Sequence, residues 1–236
     1  ALTIKILKIA NSSFYGLLRK VNTLQRAIMV VGFKAIKDIA VSTAILNMYH
    51  SSDPLSIKLW EGAVGCGIAS RFLALEFDDS EVDEAFVAGL LHNLGKVVML
   101  RAYPQEYRKL LEESLTNPLF DDLAEERRAF HYCHPHVGGA LVKSWNLSPV
   151  LEATLRYYRF MRETQWTDLD SHMQLTIAIV SYAHRLCHHL GLGYERAFEE
   201  IDILKCPEVE FLQLSEKRIK ELKQEIAASF YEEGRL

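Results

Sequence analysis

Apolar residues recur at helical spacing along almost the whole chain, with no sustained strand-type alternation. The pattern predicts helices near 2–10, 23–31, 33–49, 55–77, 81–92, 94–102, 104–115, 120–130, 135–145, 149–160, 169–190 and 215–232. Polar punctuation supports several ends. Pro104 and Pro149 suit a first helical turn, Thr23 and Ser215 can cap, and Gly191 suits a helix end after Leu190. Two stripes stand out. Met173, Ile177, Val180, His184 and Cys187 step by fours and threes, which puts His184 on the apolar face of its helix. His134 is expected to share a face with Val137, Leu141 and Trp145 in the same way. The last helix carries Ile219, Leu222, Ile226 and Phe230 on one side, and packing against its own domain is the reading favoured for it.

The expected fold is therefore all-α: a multi-helix array with a smaller N-terminal helical lobe. Ser51-Ser52-Asp53-Pro54 is a polar turn between two strong helical patterns and marks the boundary. The predicted organisation is an N-terminal lobe over 1–50, a longer helical lobe over 51–204 and a C-terminal helical extension over 205–236. With 236 residues, 49% of them hydrophobic, the chain can bury a substantial core. The chain opens at Ala1 directly into a periodic segment, which reads as a fragment whose beginning has been cut away.

Composition narrows the function classes. Lys plus Arg total 27 against 31 Asp plus Glu, a net charge of −4, which gives no footprint for nonspecific nucleic-acid binding. No run of 18 apolar residues suggests a membrane span, and no signal peptide is visible, so a cytoplasmic protein is expected. Cys66, Cys133, Cys187 and Cys206 are widely spaced, form no CxxC pair and read as reduced thiols.

Several motifs go further. Asn11-Ser12-Ser13-Phe14-Tyr15-Gly16 follows a short helix and precedes Thr23-Leu24-Gln25-Arg26-Ala27-Ile28 and Val31-Gly32. Leu59-Trp60, Ala88-Gly89-Leu90-Leu91-His92-Asn93-Leu94-Gly95-Lys96, His134-Pro135-His136-Val137-Gly138-Gly139-Ala140 and Trp145-Asn146-Leu147-Ser148-Pro149 come next. This succession resembles the HDOD family, a degenerate relative of the HD phosphohydrolases, over roughly residues 1–190. From the residues alone, Asn11, Ser12, Phe14, Tyr15 and Gly16 read as a structural turn, with the aromatic pair anchoring it to a core. Binding of a peptide or ligand at that edge is the alternative.

HD phosphohydrolases hold metal ions with histidines and aspartates from several helices, and the cation activates water and stabilises charge on a phosphoryl group. The resemblance implies a damaged version of that pocket here. His92 is followed by Asn93, a neutral and weaker ligand than aspartate. The earlier histidine of the family falls at Gly62, within Gly62-Ala63-Val64-Gly65-Cys66-Gly67, where close packing against another helix explains the glycines better than metal binding does. Tyr157-Tyr158 stands where active relatives carry paired histidines, and His184 where they carry a last aspartate. The degenerate pocket is thus expected to comprise His92, Asn93, Lys96, His134, Tyr157, Tyr158 and His184. A divalent Fe, Mn or Zn ion, if held, would fall to His92, His134 and His184; the alternative is three core histidines each satisfied by a hydrogen bond.

Lys96 either approaches phosphate, as in the active relatives, or is solvated. His131 and His136 are near enough to extend the site, with surface exposure the reading favoured for His136. His188 and His189 read as surface residues at a helix C-terminus. Glu125-Glu126-Arg127-Arg128 reads as a surface charge run, with Glu126 resembling a family position of unknown role. No catalytic residue is assigned. The resemblance implies a non-catalytic bacterial signal-transduction module that binds a signalling protein or a small ligand, with a residual metal-dependent phosphohydrolase of nucleotides or cyclic dinucleotides as the alternative.

Overall fold

A computed structural model describes Arg26 and residues 53–77, 82–163 and 166–233. Apart from helical Arg26, the expected helices over 2–10, 23–31 and 33–49 and the Asn11 to Gly16 turn lie outside the described residues. The chain divides into two units, 1–50 and 51–236, and the elements below belong to the second.

They are α1 (Pro54–Ala74), α2 (Val82–Leu91), α3 (Leu94–Ala102), α4 (Glu106–Thr116), α5 (Asp122–Phe130), α6 (His134–Ser144), α7 (Pro149–Tyr157), α8 (Ser171–Leu190), α9 (Pro207–Leu212) and α10 (Glu216–Glu233). No strand occurs among the described residues, and the fold is all-α. Short polar residues set the starts. Asp53 accepts from the Ser56 amide at 3.3 Å ahead of Pro54, and Ser148 from the Leu151 amide at 3.2 Å ahead of Pro149. Ser215 accepts from the Arg218 amide at 3.2 Å. Gly191 ends α8 at φ 74°, a left-handed conformation that glycine adopts without penalty. Pro104 lies in a turn, and α4 begins two residues later than a proline at its first position would put it. The short α9 has no counterpart among the predicted helices.

Helix α1 is central, with α2, α8 and α10 packed on it, while α6 packs on α3 and α7. Ile219, Leu222 and Ile226 of α10 are buried in this packing, and Arg218 pairs with Glu76 at 2.8 Å. The apolar stripe of the last helix therefore covers its own domain. The segment Val82–Ala102 has the length and hydropathy of a membrane-crossing helix, but it breaks into α2 and α3 at His92-Asn93, and 78% of its apolar window is buried in the fold. Cys66, Cys133, Cys187 and Cys206 are buried free thiols.

Two glycine contacts fix the break at His92. A Cβ on Gly89 would lie 2.6 Å from the Cys66 carbonyl oxygen of α1. A Cβ on Gly95 would lie 1.9 Å from the His134 carbonyl oxygen. Backbone therefore meets backbone on both sides of the His92 turn, at distances no side chain allows. The buried face of α6 follows from the same contact. It runs through His134, Gly138 and Val142, whereas Val137 and Leu141 are half-buried and Trp145 is exposed. This corrects the expected stripe of His134, Val137, Leu141 and Trp145: Gly138 lies on the inward face, where a Cβ would meet Leu155 Cδ2 at 3.4 Å and the Gly95 nitrogen at 3.5 Å in ordinary contact, yet it carries no hydrophobic signal.

Candidate functional site

His92 ends α2 as the chain turns into α3. Its Nδ1–H donates to the Gly89 carbonyl at 2.6 Å, which leaves Nε2 facing inward. Its ring meets Tyr158 edge-on at 5.5 Å and His184 at 5.2 Å, and all three side chains are buried. His134 opens α6 one ring further on. Its Nδ1–H donates to Glu126, with Oε2 at 2.9 Å, and its Nε2 accepts from the Tyr158 hydroxyl at 2.9 Å. Burial pushes this imidazole below its ordinary value, against the pull of the Glu126 carboxylate, so a neutral ring with its proton on Nδ1 satisfies both partners. Burial likewise pushes the Tyr158 phenol well up, which keeps it a donor.

Glu126 also accepts from the His134 amide at 2.8 Å and from the Tyr107 hydroxyl at 2.6 Å. One turn earlier on α5, Asp122 accepts from Lys96 Nζ at 2.7 Å and from Arg159 Nη2 at 2.9 Å. Burial works to raise the Asp122 carboxyl, yet the guanidinium of Arg159 and the ammonium of Lys96 hold it well below the ordinary carboxylate range. Arg159 reaches on to His184, whose Nε2 lies 3.3 Å from Nη1. A guanidinium only donates, so Nε2 accepts and the His184 proton sits on Nδ1, which has no partner. Burial and the neighbouring His188 and Arg159 keep this imidazole neutral, well below its usual value.

The structure thus brings His92, Lys96, His134, Tyr158 and His184 into one polar cluster. Tyr157 does not join it: its half-buried ring packs with Ala153, Trp166 and Ile177. Lys96 is 3% exposed and ion-paired, which removes the solvated reading. Glu126 is 1% exposed, so the surface reading of its charge run is corrected at that residue. Its helix presents Asp122 and Glu126, four apart, to the interior and the other charges to water. Asp122 and Arg159 were not among the expected site residues. The four-residue spacing of Asp122, Glu126 and Phe130 is the signal that marks the inward face of α5. His188 and His189 are half-buried, not surface residues, and His189 meets Lys223 Nζ at 2.8 Å. His136 is half-buried as well, stacked on Phe160 at 5.5 Å. His131 is exposed at the left-handed cap of α5 and extends nothing.

Gly62 and Asn93 adjoin in space. A Cβ on Gly62 would lie 3.3 Å from Asn93 Nδ2 and 3.7 Å from Gly193 Cα. The turn after α8 thus fills the room beside Gly62, so this glycine packs closely against a turn, whereas Gly67 packs against another helix, where a Cβ would lie 3.3 Å from the Phe86 carbonyl oxygen of α2. What remains between Gly62, His92, Asn93, Lys96 and His184 is a cavity of about 10 Å³, room for roughly one water.

The HDOD domain model matches residues 1–160 of the 236. The chain belongs to the HDOD family. It is 28% identical over 163 residues to an uncharacterized protein of Treponema pallidum (strain Nichols), an alignment that covers 67% of this chain and 31% of that protein. The chain therefore spans about a third of the length of this curated relative. Among solved structures, it resembles an HDOD domain protein with unknown function from Geobacter sulfurreducens, at TM-score 0.67 and 21% identity, covering 95% of this chain and 80% of that one. It also resembles the MmoQ response regulator from Methylococcus capsulatus str. Bath, at TM-score 0.55 and 21% identity, covering 94% and 84%. At these identities the likeness carries the fold.

Within this HDOD chain, the expected ligand trio of His92, His134 and His184 is not what the structure gathers. Tyr158 takes the Nε2 of His134, and the group within ligating distance among the described residues is Asp122, Glu126 and His134, with ligand atoms within 4.8 Å of one another. By donor type and spacing this set allows a divalent cation. Its electrostatics already close without one: Asp122 faces both Lys96 and Arg159, Glu126 is bonded by Tyr107 and His134, and the nitrogens of His134 are both bonded. A cation would enter only by displacing those partners.

Proposed function

We propose that this chain is a non-catalytic HDOD signalling module that works by binding a protein partner or a small ligand. One observation carries the reading: the buried carboxylate of Asp122 is neutralised by Lys96 at 2.7 Å and Arg159 at 2.9 Å. In a phosphohydrolase a metal ion supplies that positive charge and prepares the water. In this chain two side chains supply it, and neither generates a hydroxide. The asparagine at position 93, the glycine at position 62 and a cavity of about 10 Å³ between them support the same reading. A phosphoryl substrate and its water do not fit in that space.

The test is turnover. Purified protein supplied in turn with Mn, Fe and Zn should hydrolyse neither nucleotides nor cyclic dinucleotides above background. Enzymatic turnover that disappears in His92→Ala would overturn the proposal. A second reading, a residual metal-dependent phosphohydrolase, is favoured by the Asp122, Glu126 and His134 donor set. It requires metal to co-purify in stoichiometric amount and to leave on Glu126→Gln. Metal analysis of protein prepared without added metal separates the two.

A further inference from the structure

His184, which lines that small cavity, also lines an open cleft of about 210 Å³, together with Tyr158. The turn after α7 forms one wall with Arg159 and Arg162. Helix α8 forms the second with Ser181, Arg185 and His188, and α9 closes it with Glu208. Its lining leaves hydrogen-bonding groups unused. Of the buried side-chain polar atoms that lack a partner, four belong to residues of this cleft: Nδ1 of His184, Nε of Arg185, Nε2 of His188 and Oε2 of Glu208. His184 is 6% exposed and Glu208 is 1% exposed. Buried polar groups in a finished core find partners, so a concentration of orphans around one opening points to a ligand.

The charges and the orphans together define its chemistry. Arg159, Arg162 and Arg185 face Glu163 and Glu208 across the cleft. Asp122 holds Arg159 from behind, and Glu208 holds Arg185 at 3.1 Å. Arg127 draws on Glu163 at 3.9 Å, and Arg162 makes no ion pair among the described residues. One cation is thus left over, beside two imidazoles and a guanidinium with free nitrogens. That arrangement suits an oxyanion, which guanidinium groups bind through paired donors. Glu208 asks for the opposite. Its Oε1 already accepts from Ser181 at 2.7 Å, while Oε2 needs a donor. We infer that the cleft binds a small phosphomonoester that also carries hydroxyl groups, its phosphate on Arg162, Arg185 and His188 and a hydroxyl on Glu208. The segment from Ser181 to Glu208 lies beyond the residues matched by the family model, so the assignment concerns this chain's own side chains. It also goes beyond the signalling reading and does not depend on it. Failure to bind leaves the turnover test untouched, and turnover leaves the binding test untouched.

Calorimetric titration of the full chain with ribose 5-phosphate, inorganic phosphate and ribose tests it. Ribose 5-phosphate should bind more tightly than inorganic phosphate, and ribose should not bind. Arg162→Ala removes an exposed side chain and should leave the fold intact while weakening ribose 5-phosphate by about tenfold, the worth of one charge-assisted bond. Glu208→Gln should erase the preference for the ester over inorganic phosphate. Unchanged affinity in Arg162→Ala, or no binding of either phosphate compound to the folded protein, overturns the inference. Equal affinity for ester and inorganic phosphate in the unaltered protein overturns its hydroxyl half.

Discussion

Two polar regions meet at Tyr158, Arg159 and His184, and they are built on opposite rules. The cluster around Asp122 and Glu126 is closed: its carboxylates are bonded, its cations are paired, and its central imidazole uses both nitrogens. The cleft toward Glu208 is open, and its lining residues hold unused donors and an unused acceptor. A closed network resists change because every partner removed strands another group in a low-dielectric interior. An open one is less stable than it could be and gains when something arrives. The difference teaches where to look for stability and where to look for recognition.

Substitutions can break that contrast, and the largest effect is expected at its charged centre. Asp122→Asn leaves Lys96 and Arg159 facing a neutral amide and should cost about 3–5 kcal/mol in urea unfolding, the usual price of an uncompensated buried charge. Gly95→Ala drives a methyl group against the His134 carbonyl and should cost about 2–3 kcal/mol, again read from the urea midpoint. A loss below about 1 kcal/mol in either would mean that the closed region is less tightly determined than its geometry indicates.

Acid should act next. His134, His184 and His188 are all held below the ordinary value of 6.5 by burial, so the unfolded chain takes protons that the folded chain refuses. Stability therefore rises with pH in this window and is lost as pH falls below 6.5, by up to about 1.4 kcal/mol per pH unit for each group. Below 3.8 the depressed Asp122 carboxyl adds to the same loss. Urea midpoints that stay flat between pH 7 and pH 5 would show that these imidazoles titrate normally. The smallest effect belongs to the open side. Arg162→Ala should move stability by less than about 0.5 kcal/mol, because the side chain is exposed and makes no ion pair among the described residues.

Much of the scaffold is legible in the sequence. The predicted 94–102 and the observed α3 coincide, and Pro149, Gly191 and Ser215 mark real ends, because caps and breakers act locally. The apolar stripe through His184 is equally local, and its burial follows. The site was only half legible. His92, Lys96, His134, Tyr158 and His184 lie in one polar cluster, but Tyr157, next to Tyr158 in sequence, packs in a different one. Glu126 sits in a run of four charges whose local pattern looks solvated, and its burial depends on His134, eight residues on, and Tyr107, 19 residues back, both on other helices and beyond the reach of one helix's periodicity. Helix α9 is too short for periodicity to register, so the acid it carries into the cleft stayed hidden. Glycine contributes nothing to a hydrophobic count, so the apolar pattern of α6 points away from its inward face, which runs through Gly138.

The seating of Gly95 on the His134 carbonyl has a mechanical consequence. Side chains can swivel to absorb a shove, but two main chains in direct touch cannot. Helices α3 and α6 should therefore tilt together or not at all, and their amides should exchange with deuterium as a single slow block while the rim at α9 exchanges earlier.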